Sequence, residues 1–370
     1  MKSKLSRVTL AALFLILLYV PGLAWLASGG RWAEPNLEKR ELAELPAFSL
    51  SELDRYPGAF EKYYRDHLPF REQLIGLYAR VNRALFDDCI VTTVLFGRDG
   101  WFFHNNVNDG DPIATYRGED TLTTDELRQI VSNLRRTKNN LAARGIDFVL
   151  FIAPNKERVY SEYMPERYGA PAEKNGVTQL VDFLRAHTDI KVVCAYDALM
   201  EAKAEFPEYT LYYPSDTHWN GIGSYIGARL LMRELGIELP ALDRANIRPQ
   251  DTKCIGDLSV LSHLYTLGEG DPMYTVAVEG MADAEVENDP DLQWLHAQGD
   301  PGGRRIFLKH DSFAAGLLPY MIPWFSETTT CTNRLYDPAQ VDEAQPDIFV
   351  QVCVERYVKQ QLIKGPIYGN

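Results

Sequence analysis

Residues 8–26 carry no charged side chain and are apolar almost throughout, with Lys2, Lys4 and Arg7 just ahead of them. A helix of that length spans the hydrocarbon core of a bilayer, and Pro21 is tolerable within it. The basic flank stays inside and directs the rest of the chain outward. Gly22-Leu23-Ala24 is small-residue-like, as at a cleavage site. The run nevertheless exceeds the ~7–15-residue apolar region of a secretory leader, so a retained anchor is preferred to a cleaved signal.

Past this segment the pattern shortens. Residues 31–90 combine a Pro-bearing linker with two stretches of helical period, 53–66 and 71–86, and 91–105 reads as a hairpin turning at Gly97-Arg98-Asp99-Gly100. Helical and strand patterns then alternate. Helices are predicted over 124–144, 177–186, from Asn220 through Met232, and from Ala314 to Met321. Strands are predicted over 146–153, 190–194, 304–309, 328–335 and 348–354, with a strand and turn at 212–215. Such alternation implies an α/β fold, a mostly parallel sheet flanked by helices. Residues 236–300 break the rhythm: rich in Pro, Asp and Glu, with a strand-like 273–278, they read as an inserted subdomain beside a cleft. The expected organisation is an anchor or signal over 1–30, a helical linker region over 31–90, and an α/β domain over 91–370.

Composition adds little to the fold and more to the partners. The 370 residues, 46% hydrophobic, suffice for a large core, and a formal charge of −13 argues against nucleic acid and anionic lipid surfaces. It also makes a neutral glycan at least as plausible a substrate as a strongly anionic polymer. Five cysteines, Cys89, Cys194, Cys254, Cys331 and Cys353, give an odd count from which no pairing follows. None stands in a turn suited to a nucleophile. The seven histidines form neither a His-x-x-x-His pair nor, with cysteine, a metal clamp, so no metal or cofactor is expected.

Chemistry concentrates in two segments. In Asp216-Thr217-His218-Trp219, an extended backbone would put Asp216 and His218 on one face, where the carboxylate can orient the imidazole. In Lys309-His310-Asp311-Ser312-Phe313, Ser312 falls on a strand-to-helix turn beside unpaired helix amides able to stabilise an oxyanion. Together they supply a nucleophile, a base and an orienting acid. The plainer alternatives are that Asp311 or Ser312 caps a helix and that Asp216 and His218 are a buried pair. Asn155, then Asn220, are the oxyanion candidates, although either could be a turn residue. Trp219 reads as packing or as a cleft wall. Tyr274 and Trp294 are candidates to stack on sugar rings, with the filling of a small core as the plainer reading of each.

Asp216-Thr217-His218-Trp219-Asn220 followed by His310-Asp311-Ser312-Phe313 resembles the motifs of the AlgX/AlgJ-type SGNH-hydrolase-like proteins, the DHHW family. Echoes run in order over about 35–360: Glu38-Lys39-Arg40-Glu41-Leu42-Ala43 with Pro46, Asp66-His67-Leu68-Pro69-Phe70-Arg71, Gly97 through Phe103, Pro154-Asn155-Lys156 with Val159-Tyr160, and Val354-Glu355-Arg356. Two positions depart from the pattern: Thr217 replaces a second histidine, and His310 stands where many such enzymes carry glycine. The resemblance implies an SGNH-like, flavodoxin-like fold and O-acetylation of an exported polysaccharide. Ser312 would be the nucleophile, with His218 and Asp216 completing the triad, and a membrane-bound O-acyltransferase would deliver acetyl groups to the extracytoplasmic domain. The rival readings are a carbohydrate acetylesterase using the same triad and a non-catalytic glycan-binding or assembly protein.

Overall fold

The computed structural model describes residues 2–29, 32, 41–86, 88–265, 269–281, 285–288 and 294–369. Its contacts divide the chain into two units, residues 1–90 with 260–265 and residues 91–259 with 266–370. In the first, Lys2–Ala27 is one helix whose stretch Arg7–Ala27 is long and apolar enough to cross a membrane. Helices Tyr56–Asp66 and Arg71–Phe86 follow. Glu38, Lys39 and Arg40 lie outside the described residues.

In the second unit, β1 (Val94–Phe96) and β2 (Phe102–His104) form the hairpin, its turn carrying Asp99 at φ 53°. The main sheet has seven strands, drawn from β3 (Asp147–Ala153), β4 (Lys191–Cys194), β7 (Glu285–Asn288), β8 (Trp294–Gln298), β9 (Arg305–His310), β10 (Glu327–Thr332) and β11 (Ile348–Val354). Their order is β4-β3-β11-β9-β10-β8-β7. The first five are parallel, and β8 and β7 extend the edge antiparallel. Among the described residues, β5 (Ile247–Cys254) and β6 (Asp271–Val276) pair only with each other. Among the described residues of 236–300, β5 and β6 form a separate hairpin, β7 and β8 join the main sheet, and 260–265 belong to the first unit.

The central strands are apolar on both faces, as a sheet covered twice requires. Val149, Phe151, Leu308, Val350 and Val352 pack with helices Tyr196–Glu205, Gly221–Glu234 and Ala314–Met321. Their neighbours Phe148, Leu150, Ile152, Phe307 and Phe349 turn to the other face, under helices Thr124–Ala142 and Gly176–His187. Each such side chain contributes roughly 1.5–3 kcal/mol by leaving water. A capping box in which Thr123 and Glu126 satisfy each other's amides starts the helix Thr124–Ala142 where the sequence places it. Cys194, Cys254, Cys331 and Cys353 are free thiols.

Strand order positions the site. The chain leaves β3 for β4 on one side and β9 for β10 on the other, with β11 between them. Where connections diverge in this way, the carboxyl ends of the strands open a crevice. Asn155 and Lys156 follow β3, Asp311 and Ser312 follow β9, and Glu355 and Arg356 follow β11.

Candidate active site

Ser312 lies on the tight turn between β9 and the helix Ala314–Met321. Asp311 shapes this turn: its Oδ1 accepts from the Phe313 amide (3.1 Å) and its Oδ2 from the Val354 amide (2.6 Å), tying the turn to the end of β11. Phe313 is fully buried, its ring 5.2 Å from Trp219 and 5.0 Å from His218. With Asp311 bonded to β11 and Phe313 inserted in the core, Ser312 is left exposed.

His218 Nε2 lies 2.7 Å from Ser312 Oγ, and His218 Nδ1 lies 2.7 Å from Asp216 Oδ1. The tautomer satisfying both contacts carries its proton on Nδ1 and accepts from the serine hydroxyl at Nε2. Strand alternation is not what aligns Asp216 with His218. Residues 216–218 form a bend in which the His218 amide also donates to Asp216 Oδ1 (2.8 Å), and the bridge between Tyr212 and Trp219 closes the loop. The short carboxylate thereby orients both the backbone and the ring of the same residue.

Three distant side chains fasten this loop, and the sequence pattern marked none of them for it. Asp257 accepts from the Thr217 amide (2.8 Å) and hydroxyl (2.6 Å), while its own amide donates to Asp216 Oδ2 (2.8 Å). Thr217, the departure from the second histidine, is therefore an anchor. Asp271 Oδ2 accepts from both the amide and the hydroxyl of Ser215 (2.7 Å each). Lys156, buried, donates to the carbonyls of Tyr213 (3.2 Å), Pro214 (3.1 Å) and Asp216 (2.5 Å). Only Lys156 stood in a motif singled out beforehand.

Electrostatics follow from this packing. Burial pushes the Lys156 ammonium down to about 8, against the carboxylates of Glu157, Asp216, Asp257 and Asp271, which favour its charge. Burial also opposes the charged form of His218. The hydrogen bond and charge of Asp216, with Asp257 beyond, outweigh it and hold His218 above the ordinary imidazole value. Burial raises Asp216, and the bond and charge of His218, together with the amides of Asp257 and His218, more than reverse that, leaving it below the usual carboxylate value. Asp216, His218 and Asp257 bring ligand-type atoms within 4.8 Å of one another. Their oxygens already accept from amides and Thr217, and a cation on Nδ1 would displace the bond to Asp216.

The remaining candidates separate. Asn155 is buried, its Oδ1 accepts from the Arg356 amide (3.3 Å), and its Nδ2 has no partner among the described residues, so one donor remains unspent at the end of β3. Asn220 lines the cavity but does not fit the oxyanion role: its Oδ1 caps the helix Gly221–Glu234 by accepting from Ile222 and Gly223, and its Nδ2 donates to the Thr210 carbonyl (2.6 Å). Trp219 is 4% exposed and its indole donates to the Phe313 carbonyl (3.2 Å), which makes it a packed wall. Tyr274, on β6, faces the cavity and meets Tyr209 edge-on at 5.5 Å. Trp294 is the first residue of β8, paired with Cys331, and its side chain lies outside the described set. The cavity beside Ser312 and His218 holds about 650 Å³, and its walls include Tyr213, Met273, Tyr274, Gly316 and Tyr320.

Residues 94–300 match the family described as "SGNH hydrolase-like domain, acetyltransferase AlgX", a span that contains Asp216 and His218 and stops short of Ser312. The probable alginate O-acetylase AlgJ of Pseudomonas putida is 25% identical over 209 residues, which is 56% of this chain and 50% of that protein. The AlgJ of Pseudomonas aeruginosa is 26% identical over 181 residues, 49% of this chain and 41% of that protein. The chain thus spans half or less of the length of these curated relatives. Among solved structures, Bacillus cereus PatB1 superposes with a TM-score of 0.53 at 14% identity, covering 73% of this chain and 98% of that one. A DHHW family protein from Eubacterium siraeum gives 0.53 at 14%, covering 76% and 97%. At such identity the likeness is one of fold.

Proposed function

Because the chain belongs to the SGNH hydrolase-like acetyltransferase family of AlgX, we propose that it is an O-acetyltransferase acting on an exported polysaccharide through an acetyl-serine intermediate. Ser312 is the nucleophile, His218 the general base and Asp216 the residue that orients it. The observation that carries this reading is the pair of 2.7 Å contacts from Ser312 Oγ through His218 to Asp216.

As Ser312 Oγ attacks the acetyl carbonyl of a donor, its proton passes to His218 Nε2. The imidazolium, stabilised by Asp216, returns that proton to the departing group and leaves acetyl-Ser312. A sugar hydroxyl then attacks the acetyl carbon and gives its proton to His218, which returns it to Ser312 Oγ as that bond breaks. The Ser312 amide is the oxyanion donor of this scheme, and the buried, unspent Nδ2 of Asn155 at the end of β3, which does not line the cavity, is the candidate for a second. The donor is a partner in the membrane, an O-acyltransferase that presents acetyl groups. Residues 8–26 anchor a single-pass protein whose residues 91–370 work outside the membrane, joined by a helical linker region over 31–90.

The test incubates the full chain in detergent micelles with 4-nitrophenyl acetate and a mixture of oligosaccharides, and follows both acetylated sugar and free acetate. Acetylated sugar that requires Ser312 supports transfer. Acetate release from acetylated glycan, with no acetylated acceptor in any mixture, would make the protein an esterase. A Ser312→Ala variant that retains full cellular function would make it a binding or assembly protein.

A further inference from the structure

We propose that the acceptor taken by this site is a neutral glycan, in contrast to the uronic-acid polymer in the names of the curated relatives. The inference rests on the acetyl-transfer reading and specifies its substrate class.

The cavity beside Ser312 supplies the observation. Among the described residues that line it there is no lysine or arginine, and the one ionised side chain is Asp216, committed to His218 and to the Asp257 amide. A carboxylate-bearing sugar in such a place finds no cation to replace its hydration, a cost that bound uronates ordinarily meet with bidentate arginines. The nearby cations do not line the cavity. The Lys156 ammonium is buried and shared among the carbonyls of Tyr213, Pro214 and Asp216. The Arg356 guanidinium is drawn in over the rings of Phe313 and Tyr357. Meanwhile Asp216, Asp257 and Asp271 cluster about the histidine loop. After β6, Glu279 and Glu287 are exposed. Like charges on the substrate would approach against this field.

What the cavity does offer suits an uncharged pyranose. Met273, Pro319 and Gly316 give apolar wall, and Tyr274 and Tyr213 give aromatic surface for the C–H face of a sugar ring, each with a phenol for its hydroxyls. Burial raises the Tyr213 phenol to about 12, so it stays a donor throughout the working range. About 650 Å³ accommodates one or two sugar units, far more than an acetyl group needs.

The experiment uses the full chain in detergent micelles, 4-nitrophenyl acetate as donor, and two equimolar acceptor sets of six-sugar oligomers. One set is neutral, with β-glucan, β-mannan and galactan members; the other is mannuronate and galacturonate. Acetyl-Ser312 is measured first by mass spectrometry, and its absence would remove the underlying reading rather than this one. Given acetyl-Ser312, at least one neutral oligomer is expected to be acetylated roughly tenfold faster than either uronate at low salt, a ratio that narrows as salt screens the field. Thr275→Arg, on the exposed rim of the cavity, should raise uronate acetylation about fivefold relative to neutral, the size of one close charge contact in water. Uronates acetylated as fast as the neutral set, or no neutral oligomer acetylated while acetyl-Ser312 forms, would overturn the proposal.

Discussion

Replacing Lys156 with methionine keeps the length of the side chain and removes the charge that holds the histidine loop. In the native fold this side chain is 2% exposed and its ammonium donates to the carbonyls of Tyr213, Pro214 and Asp216. Hydrogen bonds from a charged donor contribute roughly 1.5–3 kcal/mol each. Against them stands the cost of burial: depression of the amine from its ordinary 10.5 to about 8 corresponds to about 3 kcal/mol disfavouring the charged form. Lys156→Met removes both, for a net loss of about 1.5–6 kcal/mol. The same burial fixes a pH dependence. Below about 8 the amine is charged in folded and unfolded chains alike and the cost is fully present. Between about 8 and 10.5 the unfolded chain binds the extra proton, so this contribution makes stability rise with pH. The larger effect should fall on chemistry, because an unfastened loop lets His218 drift from Ser312, and a displacement of about 1 Å costs roughly 100-fold in rate. The assay is turnover of 4-nitrophenyl acetate by the full chain well below its unfolding temperature, with thermal unfolding measured alongside. The expected result is a kcat reduced about 100-fold with KM nearly unchanged. A folded variant with kcat within about threefold of wild type would refute the reasoning that Lys156 positions the base.

Three further outcomes are expected. In the wild type, kcat/KM for the ester should rise with pH and level off only above 6.5, because His218 must be neutral to act as base and its pKa is raised; a limb centred below 6.5 would contradict that. Asp257→Asn removes one charge that raises His218 while keeping an acceptor for Thr217, so the limb should move to lower pH with a modest fall in kcat, and an unmoved limb would show that Asp257 acts sterically alone. Gly221→Ala places a methyl 1.8 Å from the Tyr274 carbonyl oxygen, which forces the helix Gly221–Glu234 away from β6. A loss of about 1–3 kcal/mol in unfolding experiments is expected, and an unchanged midpoint would contradict the close approach.

The parts of the fold written in local pattern were legible. The helix over 71–86 has the bounds the periodicity assigns, and β3, β9 and β11 fall where short apolar runs lie, because a twice-covered strand needs apolar residues on both faces. Ser312 was singled out by its junction of strand and helix, and that junction is where it lies. The helix Tyr196–Glu205 was missed, since it fully buries only Leu199 and Ala202 and mixes charged residues among its small and apolar ones. β7 and β8 were absorbed into an expected insertion because their acidic surroundings mask strands that find their partners only at the sheet edge. Asn220 carried the sequence signal of a helix cap, an asparagine before a helical run, and that is the work its side chain does. Asp257 and Asp271 had no signal at all: each meets the histidine loop across 40 or more residues, through contacts that exist only once the chain has folded.

The most direct measurement is mass spectrometry of the Ser312 peptide after brief exposure of the full chain to 4-nitrophenyl acetate, compared among wild type, Ser312→Ala and His218→Ala. One acetyl group on Ser312 in the wild type, formed at least ~1000-fold more slowly without the imidazole, is the expected result. Ester turnover that persists in Ser312→Ala, or labelling of Ser312 that is undiminished in His218→Ala, would contradict the account.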